Sequence, residues 1–307
     1  MATYLARRFA GALLILLGVS LVTFVLLYLL PADPVRQIAG RSATAQTVEN
    51  IRRQLGLDQP FWVQYGRYLW NLAQGDLGRS YLQRSQVSEL ILARLPATLL
   101  LMAAGILCEL VIGLTMGIVA AVRRGRPSDQ ALMLGSFVGV SAPQFVVGLL
   151  LLYVFGVKLG WLPISGYGTA AHVVLPALTL GILGAGWYSR MMRSAMIEVL
   201  RQDFIRTARA KGMRSRTVLW RHALPNALIP VVTIVGLQFA FLIAGTIIIE
   251  NVFYLPGLGR LVFQAITQRD LIVVESVVML LVASVIGVNF LVDLSYAAID
   301  PRLRLAP

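Results

Sequence analysis

Six stretches of this chain are too long and too apolar to be folded in water. They run over about residues 9–30, 97–122, 131–157, 173–189, 227–249 and 273–298. A bilayer core needs roughly 20 apolar residues as helix, because only a helix or a closed barrel satisfies every backbone group away from water. The remaining composition agrees: 58% of residues are hydrophobic and only 13% charged. The expected fold class is therefore an all-α membrane protein with six transmembrane helices. Arg7 and Arg8 precede the first apolar run. That run is too long for a signal h-region and no A-x-A site follows it, so it reads as an uncleaved anchor.

The formal charge of +13 suggests nucleic acid only until the basic residues are placed. Most lie between the spans, and no basic-aromatic platform is present, so no nucleic-acid partner is expected. With the N-terminus inside, sixteen of the 27 Lys and Arg residues fall on the cytoplasmic side. The short external segments 158–172 and 250–272 hold only Lys158, Arg260 and Arg269. The long segment 31–95 holds eight arginines, but long loops obey the positive-inside rule weakly. Both termini are expected in the cytoplasm. A single cysteine, Cys108, excludes an internal disulfide. His172 and His222 are far apart, with no HExxH and no cysteine cluster, so no metal site built by this chain is expected.

Four regions follow. They are an N-terminal tail with the first span (1–30), an extracytoplasmic segment (31–95), a membrane core (96–300) and a tail (301–307). In the external segment Phe61, Trp62, Tyr65, Tyr68, Leu69 and Leu72 recur at helical spacing after Pro60, predicting one apolar face. Gly75, Asp76, Leu77 and Gly78 predict a turn and are the candidate contact for an external partner. Val87, Leu90 and Ile91 predict a further short stripe before Pro96. Such stripes either pack over the bundle or lie on the bilayer surface, membrane lipid then being a partner.

A basic, polar stretch at about 198–225 separates the fourth and fifth spans. It predicts a cytoplasmic helix–Gly–helix hairpin. Asp203 is placed to cap its first helix, Gly212 to end it in a left-handed turn, and Ser215 to cap a second helix that Pro225 closes. Phe204, Ala208 and Lys211 follow at i, i+4 and i+7, suggesting an apolar knob for a groove on a partner. Arg201, Arg206, Arg209 and Arg214 equally suit anionic lipid. His222 is expected to bond backbone or partner groups.

Within the spans, Glu109 is the one ionisable residue at depth. It either faces a pore or is neutralised against a neighbouring helix. Ser141 and Pro143 break the third span, while Pro176, Gly181, Gly184 and Gly186 bend the fourth. Glu109, Ser141, Pro143 and Gly184 are thus the pore candidates. Gly105, Gly113 and Gly117 predict close helix packing in the second span. Glu250 and Glu275 are placed near the outer mouth, in reach of water. Asp293 and Asp300 flank the inner end of the last span, beside Arg302 and Arg304.

The hairpin resembles the EAA loop of permease subunits in binding-protein-dependent ABC importers. Arg206-Thr207-Ala208 stands in the signature position, followed by Gly212 and Leu224-Pro225. Arg206 replaces the Glu that names the loop, a form similar to the peptide and nickel branch. Leu55–Pro60, Gly75–Gly78, Glu250–Arg260, Asn289–Asp293 and Asp300–Arg302 resemble the B-type permease of that branch. The resemblance implies a type I importer fold in the bacterial inner membrane, forming half of a pore for dipeptides or oligopeptides. Nickel, a metal chelate or glutathione are the alternatives. It implies as partners a second related permease, two cytoplasmic ATPase domains and an extracytoplasmic solute-binding protein. The hairpin, with Asp203, Phe204, Arg206, Thr207, Ala208, Lys211, Gly212, His222 and Pro225, would take the ATPase stroke.

Independently of the resemblance, the chain has no GxxxxGK[ST] loop to cradle phosphates. Energy must therefore come from another chain or from an ion gradient; the resemblance implies ATP and magnesium on partner subunits, with no cofactor and no catalytic residue on this chain. A secondary transporter would more commonly show repeats and intramembrane charge pairs. An intramembrane enzyme would need a catalytic pair that no GxSxG or HExxH supplies.

Overall fold

The computed structural model describes residues 2–29, 35, 44–54, 56–80 and 82–299. Leu55, Asp300, Arg302, Arg304 and the tail 301–307 lie outside the described residues, and so does the side chain of Asp293. The chain divides into two compact units. The first holds Met1–Pro96, Arg260–Phe290 and Leu294–Pro307, the second Ala97–Gly259 with Leu291–Asp293.

The first unit starts with α1 (Ala2–Leu29), whose outward face of Phe9, Leu13, Leu14, Val22 and Leu26 is exposed, as lipid contact demands. After α2 (Ala45–Gln54), helix α3 (Phe61–Ala73) begins behind Pro60. Its stripe turns toward α1. The ring of Phe24 lies 5.4 Å from Phe61, 5.4 Å from Tyr65 and 5.7 Å from Tyr68. Trp62 does not share that face; like Trp70 it is exposed, because one residue is a rotation of about 100° on a helix. The two-residue strands β1 (Arg79–Ser80) and β2 (Ser85–Gln86) pair antiparallel with Ser80 opposite Ser85, a feature the sequence reading lacked. The Ser80 hydroxyl donates to the Asp270 carboxylate. This ties the strand to the start of α12 (Leu271–Ile299), which follows α11 (Leu258–Gln268).

Helix α4 (Val87–Val122) runs through Pro96 without a break, so the expected outer stripe and second span are one rod of 36 residues. The third span is sharply broken. Helix α5 (Pro127–Ser141) and the pair formed by α6 (Gln144–Leu151) with a π-helical Leu152–Lys158 meet at 107°. Ala142 is extended and Pro143 opens α6, so the pre-proline restriction falls at the bend. The described residues thus contain five helices long and apolar enough to cross a membrane, or six with the bent pair as one span.

Helix α7 (Ala171–Val199) is the buried centre of the second unit. Gly181, Gly184 and Gly186 were expected to bend it. The helix is unbroken through them and through Pro176, and these glycines admit neighbours: Cys108 lies against Gly181, and Ser136 with Val140 against Gly186. Gly113 and Gly117 on α4 return the arrangement against Tyr188, Ala185, Ser189 and Met192. Beyond the hairpin, α10 (Leu224–Val252) leads to the loop before α11.

Candidate functional site

The hairpin begins as α8 (Asp203–Ala210) directly after α7. Gln202, not Asp203, is the capping residue. Asp203 sits one residue inside, where its charge still favours the helix N-terminus. It lies 3.5 Å from Arg206, with both side chains almost fully in water, so this pair contributes little stability. The Thr207 hydroxyl donates to the Asp203 carbonyl at 3.0 Å.

Gly212 ends α8 in the expected left-handed conformation, at φ +74°. The Gly212 N–H donates to the Arg209 carbonyl at 2.9 Å and the Met213 N–H to the Ala208 carbonyl at 3.4 Å. This paired pattern is a Schellman stop. Nothing lies within 4 Å of where a Cβ on Gly212 would be, so the requirement is conformational rather than steric. The return arm is α9 (Ser215–Thr217) continuing as π-helical Val218–Ala223. Ser215 lies inside this arm, with Arg214 at the capping position. Pro225 does not end it. The helical path runs unbroken from Ser215 through Pro225 into α10, so return arm and fifth span are continuous.

The expected knob is rearranged. Ala208 points into the protein with Ile205, 6% and 0% exposed, joining Tyr188, Met192, Met196, Val199, Val218 and Ala223 in one cluster. Residues three apart on a helix share a face, so the Ile205–Ala208 side is spent on holding the hairpin to α7. Phe204 remains 40% exposed. The exposed surface of α8 is Asp203, Arg206, Thr207, Arg209 and Ala210, with half-exposed Phe204 among them and exposed Lys211 beyond. His222 Nε2 is buried without a hydrogen-bond partner among the described residues, while its carbonyl accepts from Asn226 at 2.7 Å.

Two of the four pore candidates meet. Glu109 is 6% exposed, and its carboxyl fills the space left by the missing side chain of Gly184. Tyr188, one turn beyond Gly184 on α7, has a buried hydroxyl without a hydrogen-bond partner among the described residues. In this conformation Glu109 belongs to the α4–α7 packing. Ser141 and Pro143 stand apart, exposed at the 107° break.

The sequence reading missed a clamp at the inner end of this unit. Arg193 on α7 holds Asp129 on α5 through two bonds of 2.7 Å, and Asp129 also accepts the Gly125 N–H at 3.0 Å. An Asp behind a helix-opening Pro127 was the available signal.

Glu250 and Glu275 do not sit in water as expected; they are 0% and 9% exposed. Glu250 accepts the Thr98 hydroxyl at 2.6 Å, and Thr98 Oγ1 in turn accepts the Leu258 N–H at 2.8 Å. The Glu250 carboxyl lies where a side chain on Gly257 would stand. The Glu250–Arg260 stretch is thus wound around its own carboxylate. In the first unit, the Gly75–Gly78 turn has Gly75 and Gly78 both at φ +78°. The Gly78 N–H donates to Asp76 at 2.9 Å, and Ser276 donates to the Leu77 carbonyl at 2.9 Å. This fixes the turn on α12.

Comparison with known proteins agrees with this architecture along the whole chain. Residues 113–305 match the family "Binding-protein-dependent transport system inner membrane component", and residues 1–102 match its N-terminal companion family. The chain is 44% identical over 304 residues to the glutathione transport system permease protein GsiC of Salmonella paratyphi A, covering 99% of both. It is 43% identical to that of Escherichia coli K12, again over 99% of both. Among solved structures, an inward-facing MetNI methionine ABC transporter matches with a TM-score of 0.59 at 21% identity. That match covers 69% of this chain and 96% of the other. A second crystal form gives 0.56 at 23% identity. These matches establish a shared type I importer fold.

Proposed function

This chain belongs to the binding-protein-dependent transport system inner membrane component family, and on that premise we propose that it carries peptide-like solutes, glutathione among them. It is a multi-pass permease subunit of an ATP-driven ABC importer in the inner membrane. It is not an enzyme, and it works with a partner permease and ATPase subunits. The finer assignments are ours. The solute is delivered by an extracytoplasmic solute-binding protein, with the Gly75–Gly78 turn part of the surface that receives it. ATP and magnesium bind the ATPase subunits, and this chain binds no cofactor.

The hairpin passes the ATPase stroke to the membrane. The observation that carries this is its division into two faces. Ile205 and Ala208 are locked into the cluster with Met192 and Met196 of α7, while Asp203, Arg206 and Thr207 face outward. A push on the outward face therefore moves α7, and with it the helices that its glycines admit. The cargo proposal draws on the 44% identity to a named glutathione permease over 99% of both chains.

Two measurements test these readings. Purification of the tagged chain from its native membrane should recover a second permease together with ATPases bearing phosphate loops. Recovery of the chain alone would overturn the assembly. Uptake in proteoliposomes of the full complex with its binding protein should then be competed by unlabelled glutathione. Competition by nickel or a metal chelate, and not by glutathione or dipeptides, would overturn the cargo.

A further inference from the structure

One cavity of the first unit holds chemistry that neither the hairpin nor the spans use. It lies beneath the Gly75–Gly78 turn, between α3 and the start of α12, with a volume of about 210 Å³. Glu275 and Tyr68 line it. Oε1 of Glu275 and the hydroxyl of Tyr68 are both buried side by side, and among the described residues neither has a well-aligned hydrogen-bond partner outside this pair. Burial, and then the neighbouring Glu275 carboxylate, push the Tyr68 phenol well above its ordinary range, so it stays protonated at neutral pH. A buried carboxylate without a counter-charge is costly, and so is an unmade hydrogen bond beside it.

Among the other polar side chains of the lining, Asp76, Gln64 and Ser276 are engaged, Asn71 is a neutral amide and Arg67 is of opposite charge. Asp76 caps its own turn through the Gly78 N–H. The Gln64 amide donates to the Leu57 and Gln59 carbonyls at 3.3 and 2.8 Å. Arg67 lies over Gly56, its guanidinium where a side chain there would stand, and forms no ion pair among the described residues. One wall thus carries an uncommitted cation and another an uncommitted anion. Phe24, Leu72 and Ile272 make the remaining surface apolar. A hard metal ion needs six or more oxygen ligands, and no cluster of three ligating side chains exists among the described residues.

We propose that this cavity binds the zwitterionic end of an amino-acid-like solute, its ammonium held by Glu275 and Tyr68 and its carboxylate by Arg67. An ammonium supplies three donors and the missing charge, and a guanidinium matches a carboxylate as a fork. The site is separate from the translocated cargo and does not depend on its identity.

The test uses the permease with its partner subunits in nanodiscs, without binding protein, and reads ligand saturation-transfer NMR at millimolar probe. L-alanine should give the strongest signal, ethylamine a weaker one and acetate none. Glu275→Gln, which keeps shape and removes charge, should weaken L-alanine binding about tenfold. Arg67→Ala, at an exposed rim position, should reduce L-alanine to the level of ethylamine. Equal L-alanine binding by the wild type and Glu275→Gln would overturn the proposal, as would acetate binding as well as L-alanine. Should Glu275→Gln fail to assemble, Arg67→Ala decides: unchanged preference for L-alanine over ethylamine sinks the site. The importer reading is decided separately, by recovery of the ATPases.

Discussion

Gly212 gives the sharpest test of the hairpin, because its requirement separates cleanly into conformation and space. Its φ is +74°, and no atom lies within 4 Å of the position a Cβ would take. Substitution therefore meets no clash, and its whole cost is that of the left-handed conformation. That cost is about 1–2 kcal/mol for an ordinary L-residue, less for Asn, and toward about 3 kcal/mol for a β-branched one. The opposing term is the burial of the hairpin, and Ile205, fully buried, contributes about 1.5–3 kcal/mol of it. Gly212→Val removes a comparable amount and should detach the hairpin from α7 for much of the time. Gly212→Asn should leave it docked, with Gly212→Ala between. In proteoliposomes of the whole importer, uptake per ATP hydrolysed should fall in the order Gly, Asn, Ala, Val, with Val close to uncoupled. Unchanged uptake by Gly212→Val would refute the turn as a mechanical element. Equal losses in Asn and Val would show that the position acts through side-chain space and not through φ.

Three further substitutions probe neighbouring parts of the same argument. Arg206→Glu inverts the charge at the centre of the outward face of α8 and should weaken retention of the ATPases in a salt-dependent way; an unaffected complex would remove Arg206 from that interface. Gly184→Ala places a methyl inside the Glu109 carboxyl and should destabilise the permease by about 1–3 kcal/mol, read as a lower Tm. The added change Glu109→Ala should recover part of the loss, and a strictly additive double variant would contradict the contact. Asp129→Asn leaves Arg193 without its counter-charge. Because the Arg193 side chain is still 27% exposed, the expected cost is about 1–3 kcal/mol, below that of a fully buried pair. A Tm unchanged by Asp129→Asn would show the clamp to be without weight.

What the sequence made legible is what a local rule governs. The hairpin turn at Gly212 was readable because one residue type alone tolerates that φ without strain, and the break at Ser141–Pro143 because proline restricts its predecessor. The spans were readable because a bilayer sets a length. Faces were harder. Ala208 was placed outward on spacing, yet spacing fixes only which residues share a side, and Ile205 at the next step drew that side inward. Trp62 was grouped with Phe61 and Tyr65 on helical spacing, although its own angle on the helix separates it from them. Pro225 was read as a stop, but the helical path from Ser215 continues through it into α10, because one lost backbone donor does not by itself end a helix held by packing.

The carboxylates show a deeper limit. Glu250 and Glu275 were assigned to water because each lies next to the end of an apolar run, and charge near a membrane surface ordinarily stays wet. The chain instead closes around both, by different means. Glu250 is supplied with partners: the Thr98 hydroxyl comes from a residue 152 positions away, and Gly257 vacates the space its carboxyl fills. Those glycines were visible in the sequence as a motif, but the carboxylate that explains them became visible only with the fold. Glu275 is buried with Tyr68 beside it, and among the described residues its Oε1 has no well-aligned partner outside that pair. Two burials of the same residue type thus carry opposite meanings. The first is a finished structural joint, in which Gly257→Ala should lower Tm with no bound ligand able to restore it. The second is an unfinished polar site, in which L-alanine should raise the Tm of the wild type and not that of Glu275→Gln, since only a ligand that binds the native state shifts its stability. A Tm increase common to both proteins would show that the added amino acid acts elsewhere, and that the charge of Glu275 is tolerated without being used.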